Sequence, residues 1–488
     1  MVTGIVTPRL LTVTVAAVAA LTTAVCVPAG TATAAPAHVW QRVTGAGGAS
    51  IDEVGFARRS DGTLDVVWQI GTDASSGSLY DTTISPAGRL GTTNTIASNW
   101  SAISNPAVTA GPGGSLDAFF GGIRSTAPTE TNTDLNLATS TSGGSSWSLT
   151  TGDIAHLGDG DDAYASTISA ATDPLTATPY ETWNGTSGVW VHAGISPSSP
   201  NNNFLPSAWG CCGYSSNIAF NSAGAGMVDW YSNATGRLGV WAQPVTTDGT
   251  PGGSPQQLPG TGNMSVGESQ RTPLAAGPGG AFYIAYPTGY PSFTKVVLWR
   301  VGSSTTRTIA TLSGTGGTAA SIAADSNGRL WVLWTDGSGP TVYARRSNLS
   351  GTVFGATVDA GAPAHTESIY SLDGNASPTA LDAFAVDSPT GSNGSATWWT
   401  HIYPGLTLTS SRTSLTSGQA TRVSFTVTDA GDPVAGATVK VGRRALSTNR
   451  HGTASLTLTA TRSVAVSAAR SSYTGASLRL RVVSSHRH

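Results

Sequence analysis

Cysteine is almost missing from this 488-residue chain, which has three. Cys26 lies in an amino-terminal apolar stretch, and Cys211 and Cys212 stand side by side in "SAWGCCGYSS". A framework of several disulfides is therefore excluded. With no histidine beside the pair, a Cys/His zinc site is disfavoured as well. Lysine is reduced to Lys295 and Lys440, and Asp, Glu, Lys and Arg together make up 11% of the chain. After residue 37 no long apolar run occurs, so no membrane-spanning helix is expected. No stretch holds a 3.6-residue apolar period, which argues against helices. No Gly-rich phosphate loop, dinucleotide fingerprint or Ser-His-Asp spacing can be found, and neither nucleic acid nor a nucleotide cofactor is expected.

What is present begins with an address. Residues 1–37 hold Arg9, the apolar run "LLTVTVAAVAALTTAV" and the small-residue stretch "TATAAPA", the layout of a secretory signal with cleavage between Ala34 and Ala37. Val25 is too large for the residue that precedes a lipidated cysteine, so Cys26 leaves with the signal. A secreted, extracellular chain results, in which Cys211 and Cys212 are expected to pair with each other. Three readings of that pair stand: a stiffener of its loop, a flat patch for ligand contact, and a pair of metal-binding thiolates.

Charge is unevenly placed. Residues 406–488 hold eleven basic residues against Asp429 and Asp432, a net +9, whereas residues 38–405 hold 13 basic and 25 acidic residues, a net −12. Such a split implies two domains with different surroundings. The tail is expected either to dock on the acidic part or to bind an anionic cell-wall polymer, unless its arginines are simply an ordinary solvated face.

Sixty glycines and short β-branched and aromatic runs indicate an all-β chain. "GFARRSDGTLDVVW", "AVTAGPGGSLDAFF", "PLAAGPGGAFYIAY" and "SIAADSNGRLWVLW" repeat one pattern: strand, Gly-containing turn, second strand. Three looser copies bring the second-strand anchors to Asp65, Asp117, Glu181, Asp229, Tyr283, Trp331 and Asp382. Seven units of about fifty residues predict a seven-bladed β-propeller over 38–404. Val39–Val43 is expected to supply the outer strand that the last unit lacks, closing the ring. The recurrent acidic anchor is read as scaffold, because a feature shared by the units serves what they share.

The segment "STSGGSSW", Ser140–Trp147, resembles the Asp-box turn of sialidase-type propellers, with Ser142 in place of the aspartate. "NPAVTAGPGGSLDAFF" resembles the repeats of secreted propeller lectins. These resemblances imply a sialidase-like or lectin-like propeller. Sialidase chemistry would further require an arginine triad and a Phe/Tyr-Arg-Ile-Pro segment, which "IDEVGFARRSDG" does not contain. In the tail, "FTVTDAGDPVAGATVKVG", "TNRHGTASLTLTA" and "ASLRLRVV" are similar to bacterial Ig-like domains, implying a β-sandwich over 405–488.

The residues just before each unit's first strand are expected to ring a central mouth. They are Asp52 and Glu53, Asn105, Asp162 and Tyr164, Tyr214, Gln270 and Arg271, and His365 with Glu367, with Trp209 beside the cysteine pair. This mixed, partly aromatic set suits one polar ligand such as a glycan. Glu53 and Glu367, on units that ring closure makes neighbours, are the candidate catalytic carboxylates, with Tyr214 as third member. "HLGDGDDAY" offers Asp159, Asp161 and Asp162 either as calcium ligands or as a solvated acidic turn. Two classes of function remain: a secreted carbohydrate-binding protein that works as a monomer, and a glycoside hydrolase or lyase. A structural adhesion protein is a third, weaker reading.

Overall fold

The computed structural model describes residues 39–44, 53–70, 77–124, 134–150, 154, 168–185, 188–195, 202–205, 213–262, 271–289, 292–314, 317–389 and 395–484. All their regular structure is β-strand, apart from the 3-10 turns Pro112–Gly114 and Pro278–Gly280. Gly113 and Gly279 in these twin "GPGG" turns have φ of 70° and 67°, a left-handed geometry that explains the glycine.

Up to residue 402 the strands form antiparallel sheets that follow one another along the chain. The first runs through Gly55–Arg58, Leu64–Ile70, Gly77–Ile84 and Leu90–Ile103 and continues into Leu116–Arg124, Asp134–Ser140 and Ser148–Leu149, with Ala107–Ala110 paired to Leu116–Arg124. Four-stranded sheets then begin at Ser169–Thr172, Gly213–Phe220, Leu274–Ala276 and Ala320–Ala324. The last joins Thr366–Ala376, Leu381–Pro389 and Ala396–Ile402 to Gln41–Arg42 from the chain's other end, with Gln41 opposite Trp399. The expected amino-terminal strand is therefore in place. Val43 N–H adds a hydrogen bond to the Thr397 carbonyl at 2.8 Å.

Second strands such as Leu64–Ile70 and Leu330–Thr335 are mainly apolar and buried along nearly their whole length, because both of their faces are covered. First strands carry small residues where they crowd together: a Cβ on Gly55 would stand 2.9 Å from the Ala107 Cα. Cohesion between sheets is apolar. One cluster, with Leu298, Leu330 and Val332, joins the sheets that start at Leu274 and Ala320. Others link each consecutive pair in the same way, one lies within the first sheet, and one containing Val54, Trp68, Phe384 and Trp399 joins the first sheet to the last. At about 1.5–3 kcal/mol per buried large side chain, these clusters outweigh any polar contact between sheets.

Residues 405–484 form two further sheets. One orders Thr407–Ser410, Ala420–Asp429 and Asp432–Pro433, with Thr453–Thr459 also paired to Ala420–Asp429. The other orders Ser414–Thr416, Ala476–Val483, Val464–Ala469, Thr438–Val441 and Arg444–Ser447. Alternate residues, among them Val423, Phe425, Val427, Val439, Val466 and Leu480, make a common core.

Contact with the preceding sheets runs opposite to the charge split. Among the described residues the acidic part does not pair with the tail's arginines; Arg329 and Arg346 hold the tail's two aspartates. Arg346, side chain 3% exposed, pairs with Asp429, also 3% exposed, and donates to the Pro378 carbonyl at 2.8 Å. Arg329 reaches Asp432 at 2.6 Å and Asp429 at 3.6 Å. The Arg346 guanidinium also lies 5.8 Å from the Tyr473 ring centre. Removing one member of a buried pair leaves the other charge unpaired, at a cost of about 3–5 kcal/mol. Arg346→Met should fall at the lower end, roughly 3 kcal/mol, because Arg329 still faces Asp429. Urea unfolding checks this, and the double variant with Asp429→Asn should recover part of the loss. An unchanged midpoint for Arg346→Met would show that the pair does not anchor these sheets.

Candidate functional site

The first strands surround a cavity of about 460 Å³, lined by Gly55, Ala107, Ser169, Asn217, Ala275, Ala323, Gly374 and their neighbours. Arg271, two residues ahead of Pro273 and the strand Leu274–Ala276, sends its side chain across this space. Its Nε donates to the Ile168 carbonyl at 2.7 Å, Nη1 to Val54 at 2.9 Å and Nη2 to Pro106 at 2.6 Å. These carbonyls come from three different first-strand segments. Glu53, 2% exposed, accepts from the Arg271 backbone N–H and lies 3.4 Å from Nε. Asp373 stands 3.7 Å from Nη1 on the far side. The guanidinium fork, with rigid donors on several edges, can serve all these partners at once.

Smaller polar contacts extend the collar. Asn105 accepts from the Glu53 N–H at 3.3 Å. Ser169 donates to Asn217 at 2.5 Å, Asn217 to the Thr272 carbonyl at 2.8 Å, and Thr272 Oγ1 to Asp229 at 2.7 Å. Burial pushes the Asp373 carboxyl up to about 6 despite the opposing Arg271 charge. Asp373 was not among the residues expected at the mouth. The signal was there, because its aligned positions, Gly55 and Ala107, are small, and a carboxylate among such residues stands out.

The structure brings Glu53, Asn105 and Arg271 together. Glu53 is buried, whereas Glu367 is exposed. The hairpin pairings Arg58–Leu64 and Ala376–Leu381 place Glu53 level with Ser371, so Glu367 lies four residues further out. The bulges between Thr366 and Ser371 shorten that offset to the equivalent of two or three residues, roughly 8 Å along the strand at about 3.3 Å per residue. Glu367 and His365 are exposed, and His365 has a left-handed φ of 60°. Tyr214 is half-buried against the cluster that holds Tyr231 and Leu274. Asp52, Asp159, Asp161, Asp162, Tyr164, Trp209, Cys211, Cys212 and Gln270 lie outside the described residues, as does the segment 1–37. Among the described residues no group of three or more His, Cys, Asp or Glu side chains is placed to hold a metal, and no helix is long and apolar enough to cross a membrane.

Four of the acidic anchors, Asp65, Glu181, Asp229 and Asp382, are buried inside and between sheets, and Asp117 is half-buried. Asp65 takes Arg59 Nε at 2.8 Å, Glu181 meets His192 at 2.9 Å with both side chains fully buried, and Asp382 accepts from Trp399 at 2.9 Å while holding Arg58 and His401. The turn at Ser140–Trp147 joins Asp134–Ser140 to Ser148–Leu149. Its Ser140 Oγ accepts from Gly144 N–H at 2.9 Å and Ser142 Oγ from Ser146 N–H at 3.0 Å, so two serine hydroxyls hold the turn. Gly143 and Gly144 have φ of 62° and 78°, and a Cβ on either would collide with Arg59 or Asp81.

No protein-family model matches the chain, and no curated protein sequence matches it either. Solved structures similar to it include a protein of unknown function from Dyadobacter fermentans, at 10% identity and a TM-score of 0.45, covering 75% of this chain and 98% of that one. An alpha-L-arabinanase from Penicillium chrysogenum, complexed with arabinobiose, is similar at 12% identity and 0.38, covering 72% and 93%. A GH32 beta-fructofuranosidase from Bombyx mori is similar at 12% identity and 0.37, covering 76% and 92%.

Proposed function

We propose that this chain is a secreted, monomeric carbohydrate-binding protein: a signal peptide over 1–37, a closed seven-bladed β-propeller over 38–404, and a basic Ig-like module over 405–488 that holds it at the cell surface or wall. The apolar clusters linking consecutive sheets, and the one linking first to last, support the closed ring. A glycan occupies the mouth on the strand-start side, above Arg271, with Tyr214 and the neighbouring mouth loops as its contacts. Pairing of Cys211 with Cys212, and calcium on Asp159, Asp161 and Asp162, belong to this proposal.

One observation favours binding over hydrolysis: the throat carboxylate Glu53 is engaged by Arg271. Glycan-array binding by the secreted chain, run beside a screen of chromogenic glycosides, tests the reading. Binding without turnover is expected. Tyr214→Ala should weaken binding at least about tenfold, the loss of a contact worth roughly 1.4 kcal/mol. Turnover abolished by Glu367→Gln would replace this reading with hydrolysis. A hydrolase remains the second reading, favoured by Asp373, whose carboxyl, raised to about 6, faces the cavity. Asp373→Asn would abolish turnover in that case.

A further inference from the structure

The ten described basic side chains of residues 406–484 are all exposed, and none of them takes part in an ion pair among the described residues. Their potential partners within the same segment, Asp429 and Asp432, are occupied by Arg329 and Arg346. Docking therefore leaves the segment's positive charge unopposed.

Strand register gathers part of that charge on one sheet face. Val439, Val441, Val466, Ala468 and Leu480 point into the core, so Lys440, Ser467, Ser477, Arg479 and Arg481 point outward. Lys440 pairs with Ser467, Ser467 with Ser477 and Ala465 with Arg479, which makes these residues neighbours across three strands. A shallow groove lined by Lys440, Ala465, Ser467, Ser477 and Arg479 runs between them. Arg481 N–H bonds to the Thr413 carbonyl at 3.1 Å, bringing Arg412 to the same end of the sheet, and Arg443 occupies the turn of the hairpin at the opposite edge. With strands about 4.8 Å apart, five strands make a ledge roughly 20 Å wide. Arg479 and Arg481, two residues apart on one strand, are about 7 Å apart along it.

We infer that this face binds a linear phosphodiester polymer of the poly(glycerol phosphate) kind, laid across the sheet. Guanidinium forks match phosphate oxygens in pairs, and all but one of the cations here are arginine. The serines between them donate hydroxyl hydrogen bonds to the remaining oxygens. No aromatic side chain lies on the groove, so nothing offers stacking to nucleobases, which sets a backbone-only polymer ahead of nucleic acid. The inference rests on the surface-association part of the proposed function and gives it a face and a ligand chemistry.

The test uses the secreted chain and immobilised poly(glycerol phosphate). Binding is expected at low salt, weakened on the order of a hundredfold between about 50 and 200 mM salt if some five phosphates are neutralised. Arg479→Glu with Arg481→Glu should weaken it by at least tenfold. Arg422→Glu with Arg450→Glu, the same charge change away from this face, should weaken it severalfold less. Equal loss in the two double variants would overturn the inference, as would duplex DNA binding as tightly with the same dependence on Arg479 and Arg481. Chain that binds intact cell walls but not the polymer would overturn the inference while sparing surface association. Chain that binds neither would overturn both.

Discussion

Arg271→Met is expected to destabilise the protein by about 3–5 kcal/mol, the cost of stranding a buried carboxylate and leaving buried carbonyls unpaired. Glu53 would lose its cation, and the carbonyls of Val54, Pro106 and Ile168 would lose their donors. Total stabilities are about 5–15 kcal/mol, so the loss is a large fraction of the whole. Arg271→Lys is the more telling variant. It keeps the charge beside Glu53, but a point-like ammonium cannot serve three divergent carbonyls, and about half the loss should remain. Urea unfolding of both variants measures this. A lysine variant as stable as the native chain would reduce Arg271 to a simple counter-ion and remove its role as a tie between sheets.

Stability is expected to fall as the medium becomes alkaline. Burial raises Asp81 to about 8, helped by the nearby Asp65 charge and opposed by Arg59. Burial likewise raises Asp65 to about 6, Glu181 to about 7 and Asp229 well above the usual carboxylate range. Each of these acids keeps its proton in the folded chain after the unfolded chain has lost it. Their contribution is therefore complete below about pH 4, declines as pH rises, and is lost above the folded values. A tenfold change in proton affinity corresponds to about 1.4 kcal/mol, so Asp81 by itself contributes several. The thermal midpoint should accordingly be lower at about pH 8.5 than at about pH 5.5. Asp81→Asn has no proton to lose, so its midpoint should depend less steeply on pH and approach or exceed the native one at the alkaline end. A native midpoint that rises across this range would sink the argument.

The placement of Asp81 also explains the Gly-Gly turn in Ser140–Trp147. Composition marks those glycines as turn formers, yet only the folded chain shows Arg59 and Asp81 packed where a Cβ would go. The polarity of the carboxy-terminal contact is a similar case. Counting charges set a +9 tail beside a −12 partner, whereas two arginines of the acidic part and two aspartates of the basic part decide the attachment. Net charge acts over many ångströms and is screened; a buried contact is settled by the few groups that shape complementarity leaves at the seam.

The sequence by itself determined the β character, the strand-turn-strand repeats, the amino-terminal strand that joins the last sheet, and the alternation that builds the carboxy-terminal core. These are local properties: a strand's period of two and a turn's need for glycine are written within ten or fifteen residues. The tertiary structure decided what the central residues do. Glu53 and Glu367, adjacent in the expected ring, differ in burial: Glu53 is enclosed beside Arg271, whereas Glu367 is exposed in the bulged outer part of its strand. Arg271 reads in sequence as a cation at a mouth, ready for a ligand. In the fold its partners are mainly backbone carbonyls more than 100 residues away, a kind of partner every residue carries and no sequence pattern can single out.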